Sequence, residues 1–123
     1  MAEHNELGSL GEEIAVRHLQ DKSYVILERN WRAVRLEIDI IARLGDQVVI
    51  AEVKTRTDRF LESVDEAVNK RKQNLLIRAA NSYIARKNLD LDVRFDIITV
   101  IFEGKTKFHV QHIENAFYPR VRS

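Results

Sequence analysis

The chain has 123 residues, 32% of them charged, yet 20 Lys and Arg against 19 Asp and Glu leave a net charge of only +1. This length suffices for one domain with a real core, and the balance supplies no global basicity that would by itself argue for nucleic acid. The absence of cysteine excludes disulfides, thiolate metal sites and cysteine nucleophiles. No apolar run approaches the ~20 residues of a membrane span and no signal peptide is visible, so a soluble, cytoplasmic protein is the expectation.

Residues 1–8 are polar and read as a tail. Ser9-Leu10-Gly11-Glu12 then fits a capping box and predicts a helix to about Gln20 carrying Ile14, Ala15, Val16 and Leu19. Glu12 stands three, four and seven residues before Ala15, Val16 and Leu19 and begins the buried stripe; it is either a cap or a site group. Glu13, four residues before Arg17, reads as half of a surface pair. Tyr24 to Leu27 reads as the first strand. Around Trp31, the arginines either decorate a core-capping indole or accompany one that stacks on bases. A hairpin follows, with Ile38, Ile40 and Ile41 in one arm and Val48, Val49, Ile50 and Val53 in the other. Ser63-Val64-Asp65-Glu66 is a second capping box, predicting one helix to about Arg86 along Val64, Val68, Leu75, Leu76, Ala79, Ala80 and Tyr83. Lys70-Arg71-Lys72 would lie in its second and third turns, as a solvated face or as phosphate contacts. Val93 to Phe102 and Lys107 to Ile113 read as the last two strands, with a tail from Asn115. The order helix, three strands, helix, two strands predicts a single α/β domain over 1–123 with a central mixed sheet flanked by helices, residues 1–8 and 118–123 being tails.

The hairpin carries the chemistry. If Gly45-Asp46 is a two-residue turn, with glycine at the positive-φ first position of type II′, paired positions sum to 91. Asp39 then stands opposite Glu52, and Glu37 opposite Lys54, with Glu37 and Asp39 on one strand face. Opposed carboxylates have Cβ atoms roughly 5 Å apart and destabilise a sheet unless a cation joins them. A hard ion such as magnesium takes oxygen ligands of this kind; the alternative is a solvated polar face neutralised by Arg35 or Arg43.

Other chemistries drop out. There is no P-loop, dinucleotide fingerprint or nucleophile elbow, and His4, His18, His109 and His112 lack zinc spacing, the last two reading as decoration on a late strand. What remains is an acid, then acid-x-lysine on the paired strand, which suits phosphodiester hydrolysis. Metal-ion catalysis needs carboxylate ligands, and a neighbouring lysine can orient water and stabilise charge.

Asp39 followed by Glu52-Val53-Lys54 in this element order resembles the PD-(D/E)xK nuclease superfamily and its restriction-endonuclease-like fold. More narrowly, the chain resembles the YraN family of uncharacterised bacterial proteins, uncharacterised protein family 0102, related to archaeal Holliday-junction resolvases. The matching segments are 8–15, Arg29-Asn30, 37–42, Glu52-Val53-Lys54-Thr55-Arg56, Lys70-Arg71 and Arg94-Phe95-Asp96, in order and over nearly the whole chain. The resemblance implies metal ligation by Asp39 and Glu52, a catalytic Lys54, a supporting acid at Glu12 and a further acid at Glu37. Leu36 stands where the family usually has glycine, which bears on how closely a substrate backbone can approach. The implied activity is a magnesium- or manganese-dependent endonuclease acting on DNA, with branched or distorted structures as candidate substrates. Arg56, Arg59, Lys70 and Arg71 would contact phosphates, and a homodimer follows by analogy with resolvases. The rivals are a nucleic-acid-binding module of the same fold without hydrolysis, and a non-catalytic interaction protein.

Overall fold

The run Val48-Val49-Ile50-Ala51 has no polar side to offer solvent, and it lies at the middle of a sheet with every one of these side chains buried. The computed structural model describes residues 2–57, 62–104 and 106–119, of which 2–5 are described by backbone alone. In chain order they form α1 (Ala2–Asp21), β1 (Val25–Arg32), β2 (Glu37–Leu44), β3 (Gln47–Arg56), α2 (Val64–Ala67), α3 (Lys70–Lys87), β4 (Asp92–Glu103) and β5 (Lys107–Phe117). The five strands lie in sequence order, antiparallel except for β3 against β4. A parallel pair needs a crossover, and α2 and α3 supply it.

Each face of the sheet has its own core. Ala15, Val16 and Leu19 of α1 pack with Ile40, Ala42, Val49, Ala51, Ile98 and Val100. On the other face Leu76, Ala79, Ala80 and Tyr83 of α3 pack with Ile38, Ile41, Ile50, Phe95 and Ile97. The hairpin register is the one the turn dictates, from Leu44↔Gln47 to Ile40↔Ala51. Gly45 takes φ +58 while Asp46 stays out of the positive-φ region, as a type II′ turn requires.

Four boundaries differ from the sequence reading. Helix α1 begins at Ala2, because Leu7 extends the stripe of Ile14 by two turns; Ser9 is exposed within the helix instead of capping it. Strand β1 runs on to Arg32 through Asn30, whose left-handed φ of 52 an asparagine tolerates. The long second helix is two helices. The Ser63–Glu66 capping box closes only the short α2, Val68 turns extended, and Asn69 caps α3 by accepting the Lys72 N–H at 2.9 Å. The basic run therefore occupies the first turn of α3. Strand β5 passes Asn115, which turns left-handed and donates its N–H to Asp96 Oδ1, and ends on Phe117 stacked against Phe95.

Gly11 sets how closely α1 approaches β3. A Cβ there would collide with Thr55 Oγ1. Gly11→Ala is therefore expected to cost about 1–2 kcal/mol despite alanine's better helix propensity. Adding Thr55→Ala should return most of that loss, because Thr55 Cβ lies at an ordinary 3.5 Å from the added methyl. Denaturant unfolding of the single and double variants measures the coupling, and additive losses would mean that Thr55 simply rotates away.

Candidate functional site

Strands β1 and β2 change faces together at one point. Arg29 reaches Glu13 on α1, whereas Trp31 packs on the α3 side; Ile40 lies in the α1 core and Ile38 in the α3 core. The register places Asn30, between those two residues, opposite Asp39. A strand of unbroken alternation would keep Ile38 and Ile40 on one face, so Glu37 and Asp39 do not share a face as a period of two predicts. The β2–β3 ladder stops at Ile40↔Ala51, and beyond it the Val53 N–H donates to Asp39 Oδ2 at 2.8 Å. Asp39 is thus held against β3 by its side chain, beside Glu52.

Glu52 is only 3% exposed and faces α3. Its Oε2 meets two ammonium groups, Lys54 Nζ at 3.7 Å from the same strand and Lys72 Nζ from α3. Its Oε1 is buried and, with both acids ionised, accepts no hydrogen bond from any described group. Burial drives the Asp39 pKa up to about 7, with the Glu52 charge adding to it. The Val53 N–H opposes the rise, while carboxyl–carboxyl contact with Glu52 and the charge of Glu12 add a little more. Half-buried Asp39 and buried Glu52, with one Glu52 oxygen open, form an oxygen donor pair suited to a hard divalent cation. Among the described residues no three acidic or histidine side chains converge into a closed cage.

Glu12 and Glu37 stand around this pair. With the Asn30 amide oriented to donate, its nitrogen lies 2.9 Å from Glu12 Oε1 and 3.0 Å from Glu37 Oε1, tying α1 to β2. Burial raises the Glu12 pKa, Arg29 pulls it down, and Glu37, Glu13 and Glu52 raise it further. Glu37 pairs with Arg32 across β1–β2 at 3.9 Å, so Lys54 has Glu52 as its acid and Glu37 turns the other way.

The basic residues are unequal. Arg56 is committed to Glu62, with contacts of 2.8 and 3.3 Å, and to the Thr55 carbonyl. Lys70 lies 3.4 Å from Asp65 and Arg71 is exposed; Arg59 lies outside the described residues. Trp31 caps the α3 core, edge-on to Tyr83 with Arg86 over its ring. Leu36 packs against the same core. Lys72 and Asn30 were not singled out as site groups in the sequence. Lys72 looks like any cation of a solvated run, and Asn30 stands out only as part of the Arg29-Asn30 segment of the family match.

A second polar cluster is buried among α1, β4 and β5. Asp96 accepts two hydrogen bonds from Arg94 at 2.7 and 2.9 Å, one from His112 Nε2 at 2.7 Å and one from the Asn115 N–H at 3.0 Å. Arg94 also bonds the Tyr24 hydroxyl, and His112 Nδ1 lies 3.1 Å from His18 Nε2. His112, with its side chain 5% exposed, is therefore part of the interior and not surface decoration.

A mixed sheet between helices, in the order helix, three strands, two helices, two strands, defines an α/β protein of the restriction-endonuclease-like kind. The chain belongs to uncharacterised protein family UPF0102, whose match spans residues 11–100. A UPF0102 protein of Flavobacterium psychrophilum is 48% identical over 118 residues, 96% of this chain and 98% of the relative. UPF0102 proteins of Bacteroides thetaiotaomicron and Bacteroides fragilis are 47% and 48% identical, each over 97% of this chain and 98% of their own. No helix among the described residues is long and apolar enough to cross a membrane.

Proposed function

We propose that this protein is a divalent-metal-dependent endonuclease that hydrolyses DNA phosphodiester bonds, with branched or distorted structures as candidate substrates. The observation that carries this reading is half-buried Asp39 beside buried Glu52, with Glu52 Oε1 open and Lys54 3.7 Å from the Glu52 carboxylate. Asp39 and Glu52 would hold a magnesium or manganese ion, which supplies Lewis-acid stabilisation and a more acidic bound water. Lys54, beside Glu52, would orient water or stabilise the developing negative charge. Glu12 and Glu37, bridged by Asn30, fix the helix and strand that flank the pair. Lys70 and Arg71 would meet phosphate from the start of α3, Lys70 leaving Asp65 to do so, and Arg56 would first have to leave Glu62.

A cleavage assay on linear, flapped and four-way DNA with magnesium or manganese tests the reading. Glu52→Ala and Lys54→Ala should each lower the rate at least ~100-fold, the scale of losing one group that stabilises transition-state charge. Activity that survives both changes removes the site from these residues. Salt-sensitive DNA binding with no cleavage of any substrate selects the non-hydrolytic binding module instead.

A further inference from the structure

We infer that Lys72 is a resident counter-cation of the acidic pair, whose charge on Glu52 Oε2 competes with a divalent ion for that carboxylate, so that α3 sets the cation affinity of the site. This rests on the reading of Asp39 and Glu52 as metal ligands.

The start of α3 breaks a local rule. Lys70, Arg71 and Lys72 crowd its first turn with no acid among them, although the positive end of a helix dipole disfavours cations. Lys72 nevertheless has a fixed position. Its N–H is held by Asn69 Oδ1, and the preceding turn is tied down by buried Gln73, whose amide donates to Asp65 Oδ1 and the Val68 carbonyl, each at 2.8 Å. From there its ammonium reaches Glu52 Oε2. Glu52 needs such a partner, because a buried carboxylate without compensation is costly.

The two lysines on Glu52 are not equivalent. The Lys54 side chain is 20% exposed, farther from the carboxylate, and belongs to the strand that carries it. The Lys72 side chain is 39% exposed and crosses from another element, so it has a route to solvent. A dication bound to Glu52 would lie within a few ångströms of that ammonium, and the two repel. If only a minority of molecules have Glu52 free of Lys72, the apparent Kd for the dication is raised by the inverse of that fraction.

Titration of the full chain with Mn2+ in a calorimeter tests this. Lys72→Met should bind Mn2+ on the order of tenfold more tightly than the original chain. Lys72→Arg should bind several-fold more weakly, because a guanidinium grips a carboxylate through two hydrogen bonds and competes harder. In EDTA, Lys72→Met should melt lower and then gain more from Mn2+ than the original. Asp39→Asn separates the two levels of the argument. If Asp39→Asn weakens binding while both Lys72 variants match the original, the metal site stands and the role of Lys72 is overturned. If Asp39→Asn and the original bind alike, or no variant binds, the metal-site reading fails and the inference falls with it. Should Lys72→Met not fold, the direction of the Lys72→Arg change decides.

Discussion

Asp39→Asn is expected to raise the melting temperature of the metal-free protein by on the order of 10–15 °C at about pH 8. Asp39 ionises near 3.8 in an unfolded chain and about 7 in the fold, a difference corresponding to roughly 4 kcal/mol. The sign follows from which state releases its proton first. Between about pH 4 and 7 the unfolded chain has lost that proton and the folded chain still holds it, so rising pH costs stability there. Below that window the group costs nothing, and above it the full penalty applies. Asparagine keeps the oxygen that accepts the Val53 N–H and removes the charge. Its amide nitrogen can also donate toward the open Glu52 Oε1. Glu52→Gln is the poorer probe of the same repulsion, because it also removes the ion pairs that the carboxylate makes with Lys54 and Lys72. Melting curves at about pH 5 and 8, with EDTA and with Mn2+, measure the effect. The gain from Asp39→Asn should shrink at the lower pH, and the variant should lose the stabilisation that Mn2+ gives the original. A lower melting temperature at the higher pH would mean that Asp39 stabilises the fold as an ion and that the pair is structural.

The hairpin was legible in the sequence because every local signal agreed. Apolar arms flank Gly45-Asp46, and the turn fixes the register as far as Ile40↔Ala51, beyond which Asp39 reaches the Val53 N–H with its side chain beside Glu52. The family resemblance pointed to Glu12, Glu37 and Lys54 as well, but their neighbours were not legible. A period of two assumes an unbroken strand, and the joint change of face at Asn30 and Asp39 removes that assumption for Glu37. The helical stripe from Val64 to Tyr83 hid the break at Val68-Asn69, since apolar spacing says nothing about a cap inside it. That break moves Lys72 into the first turn and within reach of Glu52. His112 escaped for a different reason. Its partners Asp96 and His18 are 16 and 94 residues away in sequence, and only the sheet order brings them together.

The cluster around Asp96 should be the most destructive place to remove a single charge. Asp96 is 1% exposed and Arg94 has a side chain 11% exposed, so Asp96→Asn leaves a buried guanidinium short of its main counter-ion. Removing one partner of a buried pair costs about 3–5 kcal/mol, a fall in melting temperature on the order of 10–15 °C for a chain of this size. Glu114, 3.3 Å from Arg94 but half exposed, offsets only part of the loss. The pH signature is opposite to that of Asp39. Burial alone would raise the Asp96 pKa, but hydrogen bonds from His112, Arg94 and the Asn115 N–H outweigh it and lower the net value. Its contribution is therefore complete above the unfolded pKa and is lost as pH falls through the folded one, below about pH 4. Asp96→Asn should accordingly be much weaker near neutrality and converge on the original in acid. The network reaches Tyr24 and His18 on the α1 side of the sheet, whereas Glu52 and its lysines face α3. Mn2+ affinity per folded molecule should thus stay within about twofold of the original, which separates this defect from one in the acidic pair. A loss of stability below about 1 kcal/mol would mean that Arg94 reaches water once Asp96 is neutral, and that the cluster is looser than its four hydrogen bonds to one carboxylate imply.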